Sequence, residues 1–230
     1  MKAMILAAGR GERMRPLTDI CPKPLLNVGG LPLIGHHLQR LQLAGFHDVV
    51  INHAWLGSKI ETALGNGQEY GINITYSPET SGGLETAGGI ATALPLLGDK
   101  PFLVINGDVL TDIDFQQAVN IGNYLENSNA LAYLWLVDNP DHHPQGDFSL
   151  TAAGDVGKQI PEQSLTFSGV GVYQPSLFSQ IRVHTRAKLA PLLHSAIEAG
   201  RVKGEHHHGL WLDVGTVERL EQANKLFCPS

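Results

Sequence analysis

Only two cysteines occur among the 230 residues, Cys21 and Cys228, far apart and without C-x-x-C spacing. That scarcity excludes a disulfide framework and fits a reducing, cytoplasmic setting. No run approaches the roughly 18 apolar residues of a transmembrane helix. The apolar stretch over residues 3–8 is too short for a secretory signal and reads as a buried strand. Basic charge is also short, with 16 Lys and Arg against 22 Asp and Glu and a net charge of −6. A general nucleic-acid binder, which needs many phosphate contacts, is therefore not expected, nor is a membrane partner. G-x-S-x-G is missing, so acyl hydrolysis has no support. H-x-x-x-H is missing too. His206-His207-His208 and His142-His143 do not predict zinc, because adjacent strand residues point to opposite faces and no cysteine set accompanies them. Internal repeats and low-complexity tracts are absent as well.

What remains is a chain 43% apolar and 17% charged, enough for one large α/β domain with a full core. Apolar periodicity predicts strands over residues 3–8, 48–52, 72–77 and 102–106. They alternate with helices over 33–44, closed by Gly45, over 55–64, closed by Gly65, and over 85–94 before Pro95. That alternation implies a parallel, doubly wound sheet. After a helix over 114–126 the pattern changes to strands over 130–137, 147–151 and 166–173 with longer excursions. Helices over 189–199 and 217–227 follow, and no clean domain boundary appears.

Residues 6–25 leave the first strand and enter a loop with Gly9, Gly11, Arg10, Arg13, Arg15 and Lys23. Two glycines able to take positive φ and bare N–H groups beside four cations suit a polyphosphate. Met14 stands where a dinucleotide fingerprint needs its third glycine, and no G-K-[ST] follows, so neither a Rossmann fingerprint nor a Walker A loop is present. Pro16, Pro22 and Pro24 argue for a long ordered loop instead of a helix just behind the glycines. A second feature, Asn106-Gly107-Asp108, ends an apolar strand, where open α/β sheets bind ligands. A carboxylate beside a polyphosphate makes a Mg²⁺ site, since that ion takes one or two carboxylates, waters and substrate phosphates. Asp213 lies in the apolar run Trp211-Leu212-Asp213-Val214 and, if buried, needs a metal or a cation. Thr216 is placed to cap the helix that follows.

Leu6, Ala7, Gly9, Gly11, Arg13, Met14, Pro16, Thr18, Pro22, Lys23 and Pro24 resemble the signature of sugar-1-phosphate nucleotidyltransferases, and the resemblance spans almost the whole chain. It implies a Rossmann-like doubly wound, mixed but mainly parallel sheet in three layers, the nucleotide-diphospho-sugar transferase type. One domain over 1–230 is implied, with 1–110 mainly nucleotide-binding and 111–230 mainly sugar-phosphate-binding. The nucleotide falls to Ala8, Gly9, Gly11, Glu12, Arg13, Lys23, Gly82, Gly83 and Asn106, with Arg13 and Lys23 catalytic through the phosphates. Asp108 and Asp213 resemble the family's carboxylate pair holding Mg²⁺.

The segment Ser81-Gly82-Gly83-Leu84-Glu85-Thr86-Ala87-Gly88-Gly89 resembles the branch acting on uridine nucleotides and N-acetylmuramate 1-phosphate, although Ala87 replaces that branch's glycine. Its bland alternative is a capped helix with packing glycines. On the acceptor side, Asn139, Gly146, Asp147, Ser168 and Gly169 resemble sugar-pocket residues. The family's sugar-phosphate lysine has only Lys158, in Gly157-Lys158-Gln159, as a counterpart, with Lys188 as a substitute. The resemblance implies nucleotidyl transfer from UTP to N-acetylmuramate 1-phosphate in peptidoglycan recycling by a monomeric enzyme. Glucose, mannose or phosphocholine activation is the alternative within the class. Outside it stand an NAD-binding oxidoreductase, disfavoured by Met14 and by Asn52-His53 at the second strand's end, and a noncatalytic sugar-nucleotide sensor.

Overall fold

The computed structural model describes residues 1–79 and 82–227, so Ser81 and Cys228 lie outside the described residues. The first half runs β1 (Ala3–Leu6), α1 (Leu17–Ile20), β2 (Asn27–Val28), β3 (Leu31–Pro32), α2 (Leu33–Leu43), β4 (Asp48–His53), α3 (Gly57–Leu64), β5 (Asn73–Pro78), α4 (Glu85–Leu97) and β6 (Phe102–Asn106). The second runs β7 (Val109–Thr111), α5 (Gln117–Glu126), β8 (Ala132–Val137), β9 (Phe148–Leu150), β10 (Val156–Gly157) and β11 (Ser164–Tyr173). It ends with α6 (Leu189–Glu198), β12 (Val202–His206), β13 (Trp211–Asp213) and α7 (Val217–Phe227).

A mixed nine-stranded sheet has the order β10-β9-β11-β6-β1-β4-β5, with β8 on β11 and β12 on β8. Pairing is parallel from β6 through β1 and β4 to β5 and again between β12 and β8, while β11 runs antiparallel to β6, β8 and β9. Alternate residues of the central strands feed opposite faces. Ala3, Ile5, Val49, Ile51, Leu103 and Ile105 join α2, α3 and α5 in one core. Met4, Val50, Phe102 and Val104 join α4 and α6 in the other. The expected three layers follow directly from these continuous apolar runs.

Four local readings need correction. Pro16 does not forbid a helix: it sits at the N-cap of α1, where its missing N–H is harmless, and the loop is a series of short helical turns. Pro95 lies inside α4, near enough to the C-terminal end that only a late hydrogen bond is lost. α3 starts at Gly57, not at residue 55, because Leu56 is left-handed (φ 52°) and Gly57 packs directly on the His53 ring. α5 starts at Gln117, since the Asp114 carboxylate accepts the Gln116 N–H at 3.0 Å and closes a turn first. Among the described residues, no helix is long and apolar enough to cross a membrane.

α2 also turns His37 into the interior, 2% exposed, with no hydrogen-bond partner on Nε2. Burial, reinforced by the Arg40 charge, lowers its pKa from 6.5 to about 4. Between those values the unfolded chain binds a proton that the folded chain refuses, so stability falls as pH falls through that window. This one group should remove about 2 kcal/mol between pH 7 and pH 5. Urea unfolding at both pH values checks it: the stability gap between wild type and His37→Leu should shift in favour of the variant by that amount at pH 5, and parallel pH curves would refute it.

Candidate active site

β1 delivers the glycine loop and β6 delivers Asn106-Gly107-Asp108 side by side, because Leu6 is in register with Asn106 and Gly107 N–H donates to Leu6 O at 2.9 Å. The loop is anchored underneath by Met14, Leu26 and Val28, which pack with Leu33, Leu110, Val214 and Ala223. Gly11 takes φ +68°, and a Cβ there would sit 2.9 Å from Thr18 Cγ2; its carbonyl accepts from Thr18 Oγ1 at 2.8 Å. Gly9 differs from the expectation: it lacks positive φ, and nothing lies within 4 Å of where its Cβ would be. Its value is an open approach to the backbone, not a left-handed turn.

A cleft of about 670 Å³ opens here, lined by eight of the sequence-assigned residues, Ala8, Gly9, Glu12, Lys23, Gly82, Gly83, Asn106 and Asp108. Gly82 and Gly83 both have positive φ with open space beside them, whereas Gly88 and Gly89 are packing glycines. The packing role expected of this glycine-rich segment falls to Gly88 and Gly89, while Gly82 and Gly83 line the cleft. The loop is fixed from below by Glu79, 5% exposed, whose carboxylate accepts from Asn52 Nδ2 and Leu84 N–H, each at 2.6 Å. Asn52 Oδ1 in turn accepts the Ala7 N–H at 2.9 Å, so one buried network ties β1, β4 and the glycine loop together.

Cations gather at the same mouth. Lys23, buried in its stem, places Nζ 2.5 Å from Asp108 Oδ2. Arg10 lies 3.5 Å over the Trp55 ring, and its Nη1 is buried without a hydrogen-bond partner among the described residues. Trp55 is itself held by Nε1–H donating to Thr18 O at 2.9 Å. Arg13 is exposed and does not line the cleft; its guanidinium lies beside Gly215 and Arg219.

Asp213 reaches the site from the other half. β13 pairs antiparallel with β7, Asp213 opposite Val109, and Val214 N–H donates to Asp108 O at 2.7 Å. The backbones of the two aspartates thus stand on neighbouring rungs, although only Asp108 lines the cleft. Asp213 is half-buried, less than the apolar run predicts, because β13 has only three residues and lies outside the main sheet. It pairs with Arg219 and lies 3.2 Å from His142 Nε2. Sequence reasoning missed both partners. Arg219 carried a local signal, since Thr216 Oγ1 accepts its N–H at 3.3 Å and so caps α7 as expected. His142 carried none.

The acceptor-side residues separate into three groups. Ser168 and Gly169 do not line the cleft but stand behind it: Trp211 Nε1–H donates to Ser168 O at 2.8 Å, and Gly169, at φ +80° in a β-bulge, lies against the cleft residue Asn106. Asn139, Gly146 and Asp147 belong to a turn bonded along β11. Thr166 Oγ1–H donates to Asn139 Oδ1 at 2.8 Å, Asn139 Nδ2–H donates to Ser164 O at 2.8 Å, and Phe167 N–H donates to Asp147 Oδ2 at 2.8 Å. Gly146 at φ +62° lets that turn pass Leu165 closely. Lys158 is in an exposed ion pair with Glu198 at 2.6 Å, and Lys188 is exposed at the N-cap of α6.

A Cβ at Gly169 would lie 2.5 Å from Asn106 Nδ2 and would force both a left-handed alanine and a displaced Asn106. Gly169→Ala should cost about 1–3 kcal/mol of stability and lower affinity for nucleotide more than for sugar phosphate. Thermal unfolding together with separate KM values for the two substrates checks this, and equal KM changes would contradict it.

The family described as nucleotidyl transferase matches residues 2–228. The chain is 62% identical over 98% of both chains to an N-acetylmuramate alpha-1-phosphate uridylyltransferase of Neisseria meningitidis. To the protein of that name from Caulobacter vibrioides it is 34% identical, covering 93% of this chain and 91% of the other. A mannose-1-phosphate guanyltransferase of Emericella nidulans is 30% identical over 94% of this chain, which spans 61% of that protein's length. A Bacillus anthracis crystal structure described as a glucose-1-phosphate thymidylyltransferase with sucrose superposes with a TM-score of 0.85 over 100% of this chain and 96% of its own, at 24% identity. That likeness bears on the fold.

Proposed function

The chain belongs to the nucleotidyl transferase family, and we propose that it transfers uridylyl from UTP to N-acetylmuramate 1-phosphate, releasing pyrophosphate and leaving UDP-N-acetylmuramate. The observation that carries the reading is the 62% identity to the Neisseria uridylyltransferase across 98% of both chains. The cleft adds chemical support, because its open glycine backbones, Lys23 and Arg10 suit a triphosphate and Asp108 stands at its mouth.

In this reading an oxygen of the sugar 1-phosphate attacks the α-phosphorus in line, the bond from that phosphorus to the bridging oxygen breaks, and pyrophosphate departs. The nucleophile is already an anion, so no general base is required, and the protein's task is positioning and charge neutralisation. Ala8, Gly9, Gly82, Gly83 and Asn106 hold the nucleotide, with Gly11 and Glu12 shaping the loop. Lys23 takes up charge on the departing pyrophosphate; Arg13, off the cleft wall, would have to swing in from beside Gly215 to share that role. Ser168, Gly169 and the turn of Asn139, Gly146 and Asp147 bound the acceptor sugar, and Lys158 is the lysine proposed for its phosphate.

Asp108 and Asp213 fit Mg²⁺ by donor chemistry: two hard oxygen ligands on adjacent rungs, with the remaining positions left to water and phosphate. When bound there, Mg²⁺ supplies charge neutralisation of the two reacting phosphates. In the structure Lys23 and Arg219 pair with the same carboxylates and orient them. A panel of UTP, dTTP, CTP and GTP with N-acetylmuramate 1-phosphate, scored by pyrophosphate, tests the reading. UTP should exceed each of the others by at least about tenfold in kcat/KM, a discrimination of roughly 1.4 kcal/mol; equal rates with GTP would count against it.

A further inference from the structure

Away from the Asp108 and Asp213 pair, a second group of metal-ligating side chains comes together at the carboxyl ends of β8 and β12. These strands pair in parallel with His206 opposite Leu136, and His207 N–H donates to Leu136 O at 2.7 Å, which continues the pairing past the end of β12. Asp138, just after β8, is thereby carried alongside the histidine run. His206 and His208, two residues apart on extended chain, point the same way, and His207 turns the other way to Asp112 at 2.7 Å. Alternation, which argues against adjacent histidines as joint ligands, is what brings His206 and His208 together. The third ligand comes from a strand about seventy residues earlier.

We propose that Asp138, His206 and His208 bind a borderline divalent cation of the Zn²⁺ class, separate from the magnesium pair. One ligand atom from each lies within 4.8 Å of the others, and the two imidazole centroids are 3.9 Å apart. His206 Nε2 is buried and lies 2.9 Å from Asp138 Oδ1, close enough for ion pairing but too poorly aligned for a hydrogen bond, so it has no hydrogen-bond partner among the described residues. A buried imidazole nitrogen without a hydrogen bond, beside a carboxylate and a second imidazole, is a donor set that a cation satisfies. Tetrahedral zinc with bonds of about 2.0–2.1 Å needs ligand atoms roughly 3.3 Å apart, a spacing these side chains reach by small rotations. Two imidazoles and one carboxylate select Zn²⁺, Co²⁺ or Ni²⁺ over Mg²⁺, which prefers oxygen alone. The Asp138 side chain is 81% exposed, giving the ion a direct entry from solvent.

The test uses the full chain, stripped with chelator, dialysed and titrated with Zn²⁺ by calorimetry in millimolar Mg²⁺, with Co²⁺ absorption in the visible as a second readout. One equivalent of Zn²⁺ should bind despite the Mg²⁺. The double variant His206→Ala/His208→Ala, and separately Asp138→Asn, should weaken binding by at least about tenfold while unfolding at the wild-type temperature in chelator. Failure to take up a stoichiometric equivalent, or uptake unchanged in the double variant, would overturn the proposal. Loss of binding in His142→Ala but not in the double variant would overturn it as well.

Discussion

Lys23→Met is expected to lower kcat by about two to three orders of magnitude, the loss typical of removing one preorganised group from a developing anion, while leaving the fold intact. Lys23 combines burial, a place on the cleft wall and a 2.5 Å contact with Asp108. Methionine keeps the packing of the lysine stem, and the Asp108 side chain stays partly open to water, so the melting temperature should move by only a few degrees. The corresponding rise in the barrier is about 2.7–4 kcal/mol. Arginine should not restore the rate, because its planar fork does not fit a slot shaped around a single ammonium. Steady-state kinetics beside thermal unfolding checks this: kcat within threefold of wild type would remove Lys23 from the mechanism, and a collapse of the melting temperature would make it structural.

The second large effect concerns Asp108→Asn and Asp213→Asn. Each should reduce turnover at saturating Mg²⁺ by about three orders of magnitude and raise the Mg²⁺ needed for half-maximal rate, since each removes one of the two charged oxygen ligands of the proposed magnesium site. Together they should cost far less than the product of the single losses, because both serve one ion. Stability separates that role from a scaffold role. Asp108→Asn leaves the Lys23 ammonium buried against a neutral amide, which should cost about 1–3 kcal/mol. Adding Lys23→Met should recover most of that stability and none of the activity. Recovery of both would mean that the Lys23 and Asp108 pair is only a structural clamp.

The parts of this account legible in the sequence are those fixed by short-range chemistry. The central strands read correctly because each is a run buried on both faces, as with Phe102–Asn106 and Asp48–His53. Much of the cleft wall was legible because Gly9 and Asp108 lie just beyond β1 and β6, which pair in register, and Lys23 belongs to the loop that leaves β1. Elsewhere the outcome depended on register between distant segments. The partners Arg219 and His142 of Asp213 require α7 and the turn after β8 to meet at β13. The convergence of Asp138 with His206 and His208 requires parallel pairing of β8 with β12, which no local periodicity encodes. Likewise the buried Glu79 network holding Leu84 and Asn52 joins three strand ends that only the finished sheet brings together.

The relatives of this chain include proteins named for uridylyl transfer to N-acetylmuramate 1-phosphate and proteins named for guanylyl transfer to mannose 1-phosphate. The most direct measurement is therefore the ratio of kcat/KM for UTP with N-acetylmuramate 1-phosphate to that for GTP with mannose 1-phosphate, with the product identified by mass. A ratio of at least about a hundred, roughly 2.7 kcal/mol of discrimination, and a product with the mass of UDP-N-acetylmuramate is the predicted result. A ratio below one, with GDP-mannose as the product, would contradict it.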